Sequence, residues 1–207
     1  MPRYAGVDQE GRSLYFKDVT DEQGRTSQVV TTEYSQATQY LRGTALPDVY
    51  GGFGTKLSYK GFDLSADFIY QIGGQVYDSD YASMMSAPNS QSKGWNFHED
   101  LLNSWTPEHM RTEIPRMQFG DNTETSDRFL TSASYIGFQN INFGYTFSAR
   151  QVRFLGLKQL RLYFSADNIC VWSKRKGLDP RQDVGGSATG SRYAPIRTIS
   201  GGLTITL

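Results

Sequence analysis

The residues best suited to chemistry lie in one long stretch, residues 78–128, and the tyrosine just before it. Tyr77, Tyr81, Trp95, Phe97 and Trp105 supply flat aromatic faces there. Nine carboxylates against four basic residues leave the segment five charges negative. Aromatic faces beside carboxylates suit a sugar, whose C–H patches stack on rings while its hydroxyls donate to oxygens; the competing role of such rings is to hold a large loop together. Histidine appears at His98 and His109, beside Glu99, Asp100 and Glu108. Neither cluster has the His-Glu-x-x-His spacing that puts two ligands on one helical face, so zinc is not expected. The run Asp121 to Asp127 offers oxygen donors but lacks the glycine and terminal glutamate of a calcium loop. Gly51-Gly52-Phe53-Gly54-Thr55-Lys56 continues into a strand, not a helix, and so cannot act as a phosphate loop. The basic patch Lys174-Arg175-Lys176 with Arg181 reads as a solvated rim. No nucleophile elbow or Ser-His-Asp order is present, so no catalytic residues, metal or cofactor are expected.

The elements that must carry these residues are strands. From Pro195 to Leu207 the chain alternates, with Ile199, Leu203, Ile205 and Leu207 on one face and Thr198, Ser200, Thr204 and Thr206 on the other. The same pattern marks residues 49–60, 62–77, 135–147 and 159–172. These strands are longer than the usual five or six residues and match the ~9–11 that cross a bilayer at a tilt. Their polar faces carry charge at mid-strand, which a dry core does not accept unpaired. A wet lumen on one side and lipid on the other accounts for both properties, with Lys56, Asp63, Asp67, Gln71 and Gln75 lining the lumen. Residues 1–47 read as a polar extracellular loop with a local hairpin, and residues 78–128 and 173–194 as further outer loops. The connections alternate long and short, which runs the final strand toward the periplasm. Five strands cannot close a barrel, so the expected fold is all-β: a five-strand, C-terminal part of a larger transmembrane antiparallel barrel.

Composition agrees. Apolar residues reach only 38% while aromatics reach 14%, and mean hydropathy is −0.51, which fits a water-filled object better than a dense aliphatic core. Basic and acidic residues balance at 21 each, giving no electrostatic basis for binding nucleic acid. No apolar run approaches the roughly 18 residues of a membrane helix. The single cysteine, Cys170, can form no internal disulfide. Met1-Pro2-Arg3-Tyr4 does not read as a signal peptide, so an N-terminal part is expected to precede it.

Several motifs, in order, resemble the C-terminal portion of SusC/RagA-type TonB-dependent outer-membrane transporters. They are Ala45-Leu46-Pro47-Asp48-Val49-Tyr50-Gly51-Gly52-Phe53-Gly54, Lys60-Gly61-Phe62-Asp63-Leu64-Ser65, Leu102-Asn103-Ser104-Trp105-Thr106-Pro107-Glu108 with Ile114-Pro115, and Ser126-Asp127-Arg128-Phe129-Leu130. Further along come Ala133-Ser134-Tyr135, Gly144-Tyr145, Ser165-Ala166-Asp167-Asn168 and Gly177-Leu178-Asp179-Pro180. The resemblance implies an integral protein of a Gram-negative outer membrane, with a barrel of about 22 strands closed by an internal plug. It also implies a SusD-like lipoprotein lid, energy from the TonB complex through the plug, and a glycan or peptide as cargo, an oligosaccharide being the expected one. The 207 residues lack the plug and the N-terminal remainder of the barrel, and Leu207 stands where such proteins commonly end on an aromatic. The alternative is a soluble or surface β-sandwich that binds carbohydrate, in which the aromatic faces would pack against each other.

Overall fold

The computed structural model describes residues 1–90, 96–119, 121, 124–182, 187–188 and 195–207. In chain order the elements are β1 (Tyr4–Val7), β2 (Ser13–Thr20), β3 (Thr26–Thr31), β4 (Val49–Tyr59), β5 (Phe62–Ile72), β6 (Gln75–Asp78), α1 (Ser79–Met84), β7 (Leu130–Ser132), β8 (Tyr135–Phe147), α2 (Ala149–Val152), β9 (Gln159–Ser173), β10 (Ser187–Ala188) and β11 (Thr198–Thr206). They divide into two compact units, one built from residues 1–44, 76–131 and 187–190, the other from 45–75, 132–186 and 191–207.

The second unit is an antiparallel sheet in the order β11-β9-β8-β5-β4. Its register places like with like across all five strands. Lys56, Ser65, Asn142, Ser165 and Ser200 form one polar row, and Leu57, Leu64, Phe143, Phe164 and Gly201 the next apolar one. Period-two alternation therefore yields two chemically opposite faces. On the apolar face Phe53, Phe68 and Phe138 stack in a ladder with centroids 5.1 and 4.5 Å apart. Phe62 meets Tyr145 at 4.4 Å toward the Lys60–Gly61 turn.

This apolar face is open. Leu57 is 59% exposed, Phe164 44% and Leu203 60%. Among the described residues Ala166 is the one buried apolar side chain on the sheet. A continuous apolar surface of this extent is not stable against water and is the outside of a membrane barrel. It also argues against the β-sandwich alternative, which needs these rings packed on a second layer. No helix among the described residues is long and apolar enough to cross a membrane.

On the polar face the glycines stand beside large side chains. Gly54 lies opposite Asp67, Gly144 beside Asp63 and Arg161, and Gly202 under the Tyr163 ring; a Cβ at any of the three would collide with its neighbour. Ile69, the one apolar residue of β5 that breaks the alternation, faces Gly52 and Gly137 on its two flanking strands. Their missing side chains leave room for it.

The strand expected over residues 62–77 ends at Ile72. Gly73 and Gly74 both take left-handed φ values, 85° and 75°, a conformation open to glycine at no steric cost, and this breaks the ladder. Across the break the chain is pinned: the Gly73 N–H donates to Ser134 Oγ, and the Ala133 N–H to the Gly74 carbonyl, each at 3.0 Å. Against β5 the extra residue is Gln139 of β8, whereas against β9 two residues, Asn168 and Ile169, oppose that one, and Asn168 takes φ +51°.

The first unit is more ordered than a loop with one hairpin. β1, β2 and β3 form an antiparallel sheet. Its two turns repeat one motif, Asp-x-x-Gly-Arg. Asp8 Oδ1 accepts from the Glu10 and Arg12 amides at 3.0 and 2.7 Å, and Asp21 Oδ1 from those of Gln23 and Arg25 at 2.9 and 2.8 Å. Gly11 and Gly24 supply the left-handed residue at φ 79° and 78°. Residues 78–128 also contain structure of their own. Asp78 caps α1, and Ala82, Met85 and Phe129 form a core onto which Tyr77, Tyr81, Leu101 and Ile114 pack.

Burial on one face of the sheet should be measurable in lipid. In the intact barrel Phe164→Arg is expected to cost about 2–4 kcal/mol, and Ser200→Arg on the other face about 0.5 kcal/mol or less. Urea titration in bilayers, read by heat-modifiable gel mobility, checks this; equal costs would contradict the assignment of faces.

Candidate functional site

The strands position the expected lumen residues with different neighbours. Asp63 accepts two hydrogen bonds from Arg161 of β9, from Nη2 at 2.6 Å and Nε at 3.3 Å, so the pair reaches over Gly144 of the intervening β8. Asp67 lies exposed beside Gly54. Lys56 is exposed opposite Ser65. Gln71 donates to the Ala133 carbonyl at 3.4 Å. Gln75 does not join them: it follows the diglycine break and sits in β6, outside the five-stranded sheet. Two residues not singled out above belong to this surface. Asn140 donates to Asp167 at 2.6 Å, and Asn142 Oδ1 is buried with no hydrogen-bond partner among the described residues.

The aromatic residues of the first unit are mostly turned inward. Tyr77 and Tyr81 approach Phe129 edge-on at 6.2 and 5.9 Å. Tyr81 also contacts the His98 ring at 4.8 Å and donates its hydroxyl to Asp100 at 2.5 Å. Trp105 lies on Gly11, at the tip of the first hairpin. Its backbone amide donates to the Ile114 carbonyl, and the Arg116 amide donates to the Gly11 carbonyl, both at 2.9 Å. Phe97 stays 39% exposed. Trp95 lies outside the described residues. Among the described residues no three His, Cys, Asp or Glu side chains gather as a metal site.

Asp127 joins the N-terminal sheet to this region. It accepts from the Tyr4 amide at 2.7 Å and pairs with Arg42 at 3.0 Å. Beside it the Arg128 guanidinium lies over the Phe129 and Tyr4 rings at 4.9 and 5.4 Å, and burial lowers its pKa. Burial pushes the Tyr4 hydroxyl, which donates to the Glu113 carbonyl at 2.8 Å, up to about 12.

Within the same unit is a cavity of about 280 Å³. Tyr15, Met85, Ala87, Pro115 and Met117 give it an apolar lining, and Arg12, Glu33, Arg116, Asp121 and Glu124 its charges. Its residues come from four separated stretches of chain, so no local spacing announces it. The nearest sequence signal is the Asp-x-x-Gly-Arg repeat, which places Arg12.

No family model matches the chain. TonB-dependent receptor P3 of Formosa agariphila is 31% identical over 149 residues, 72% of this chain and 14% of that protein. TonB-dependent receptor SusC of Bacteroides thetaiotaomicron is 27% identical over 71% of this chain and 14% of its own length. The solved structure of the RagAB peptide transporter superposes with a TM-score of 0.80 at 26% identity, over 99% of this chain and 22% of that one. An open-faced antiparallel sheet with long insertions is the wall of an outer-membrane barrel. With these relatives, the chain belongs to the TonB-dependent receptors of the SusC/RagA type. It spans about one seventh of the length of the curated relatives named.

The half-buried Tyr4 side chain sets an alkaline limit for the first unit. Its folded pKa stands above the ordinary 10.0, so its contribution is complete below about pH 10 and is lost as pH rises through about 12. Tyrosinate absorbance should show a group of delayed ionisations, Tyr15, Tyr34 and Tyr77 among them, from which Tyr4→Phe removes the one near pH 12, together with about 1 kcal/mol of stability from the lost hydrogen bond.

Proposed function

We propose that the chain supplies part of the wall and part of the outer mouth of a TonB-dependent importer of nutrient oligomers. On this reading the apolar face meets outer-membrane lipid. Lys56, Asp63, Asp67, Gln71, Asn140 and Asn142 face the aqueous interior, where the plug sits, and the C-terminus of β11 points to the periplasm. The first unit faces outward beneath a SusD-like lipoprotein and helps hold cargo before the plug yields to TonB. The observation that carries the reading is the one-sided sheet, apolar and open on one face and polar with paired charges on the other. The likeness to SusC and to RagAB supports it.

The cargo is an oligosaccharide or a peptide. The sugar reading draws on Phe97, Trp105, Tyr77 and Tyr81 and on Trp95. The engagement of Tyr77, Tyr81 and Trp105 within their own unit, and a cavity lined by Tyr, Met and Pro side chains with carboxylates at hand, favour the peptide.

In cells lacking the intact transporter that carries this segment, restoring it is expected to restore uptake of labelled peptides. That uptake should stop when the proton gradient is collapsed, and the protein should fractionate with the outer membrane. Uptake that persists without the gradient would refute active import. Energy-dependent uptake of oligosaccharides but not of peptides would reverse the cargo preference.

A further inference from the structure

The cavity of the first unit carries an uneven set of charges. Both of its arginines are already engaged. Arg12 pairs with Asp8 at 2.7 Å and Glu10 at 3.1 Å, and Arg116 with Asp121 at 2.9 Å. Glu33 and Glu124 form no ion pair among the described residues. The Glu33 backbone amide is held by Thr31 Oγ1 at 3.0 Å, which fixes the chain at that point of the rim. Neighbouring Tyr34 donates its hydroxyl to the Thr125 carbonyl at 2.9 Å, joining the two segments that bear the glutamates. Glu124 is also close enough to Tyr15 and Tyr34 to add to the effect of burial in raising their pKa values.

The result is a pocket with an apolar lining whose rim carries two carboxylates, exposed Glu33 and half-buried Glu124, that form no ion pair among the described residues. An aliphatic stem ending in a cation satisfies both parts: its methylenes cover Tyr15, Met85 and Met117 while its head meets the glutamates. Guanidinium and ammonium groups both fit this description. A neutral sugar leaves the charges unmatched, and an acidic side chain is repelled. The volume of about 280 Å³ is at the lower end for small-ligand sites, the scale of one side chain and its flanking backbone.

We infer that this pocket is a specificity site for a lysine or arginine side chain of a peptide, with Glu33 and Glu124 as its charge partners. The inference rests on the import reading above and on its peptide cargo.

The test uses the intact transporter in detergent and three labelled pentapeptides that differ only at the central residue: lysine, norleucine or glutamate. Fluorescence anisotropy should give about tenfold tighter binding of the lysine peptide than the norleucine peptide at low salt, narrowing as ionic strength rises. Glu33→Gln with Glu124→Gln should abolish that preference while leaving norleucine affinity unchanged, which reports an intact fold. Glu33→Lys with Glu124→Lys should turn the preference toward the glutamate peptide. Equal binding of the lysine and norleucine peptides, no binding of any, or a preference that survives the double glutamine variant would each overturn the inference. Energy-dependent uptake of norleucine peptide in cells separates the two proposals: if it occurs where the lysine preference is absent, import stands and the pocket assignment falls.

Discussion

Everything in the second unit follows from the need to pair backbone groups where water is absent. In lipid each unpaired N–H or C=O costs several kcal/mol, so a membrane wall is acceptable only as an unbroken ladder. The rows running from Lys56 to Ser200 and from Leu57 to Gly201 are that ladder seen from its two sides. Once register is set, alternation distributes all side chains at once, and a slip of one residue would turn Phe164 inward and Ser165 to lipid. The glycines of the polar face belong to the same constraint. By yielding space to Asp67, Tyr163 and the Asp63–Arg161 pair, they let long polar side chains lie along the sheet without forcing strands apart.

The first unit works by a different rule. It is held by a small core and by polar anchors joining distant stretches of chain: Asp127 to Tyr4 and Arg42, Tyr34 to Thr125, and Arg116 to the tip of the first hairpin. Most of these anchors end on backbone groups, which fixes loop paths without regular strands. The same economy explains why so many aromatics lie inside it. Rings that meet edge-on around Phe129 fill irregular space between short elements better than aliphatic side chains would.

The difference in legibility between the units has the same origin. Period two is imposed residue by residue, so the strands near 49–60, 135–147, 159–172 and 195–207 could be read directly, as could the opposition of their faces. The end of β5 is hidden in the sequence because Gln75 and Val76 continue the alternation past Gly73 and Gly74, and only backbone conformation reveals the break. In residues 1–47 the repeated Asp-x-x-Gly-Arg turns were present as letters, but pairing of β1 with β2 and of β2 with β3 depends on contacts that no spacing encodes. The cavity is a still longer-range product. Arg12, Glu33, Arg116 and Glu124 become neighbours only after folding, while Tyr77 and Tyr81 pack around Phe129 and Trp105 lies against Gly11 in the same unit.

The pinned crossing at Gly73, Gly74, Ala133 and Ser134 bears on how such proteins diversify. Two hydrogen bonds there hold β5 and β8 in register from the near side of the crossing, so the closure of the intervening stretch is settled before its content matters. Loop-closure entropy rises only slowly with length. Substitutions, insertions and even wholesale replacement of the residues between these points can therefore accumulate without shifting a single pair in the wall. The crossing acts as a seam: the ladder on one side keeps its geometry whatever sequence the stretch on the other side carries.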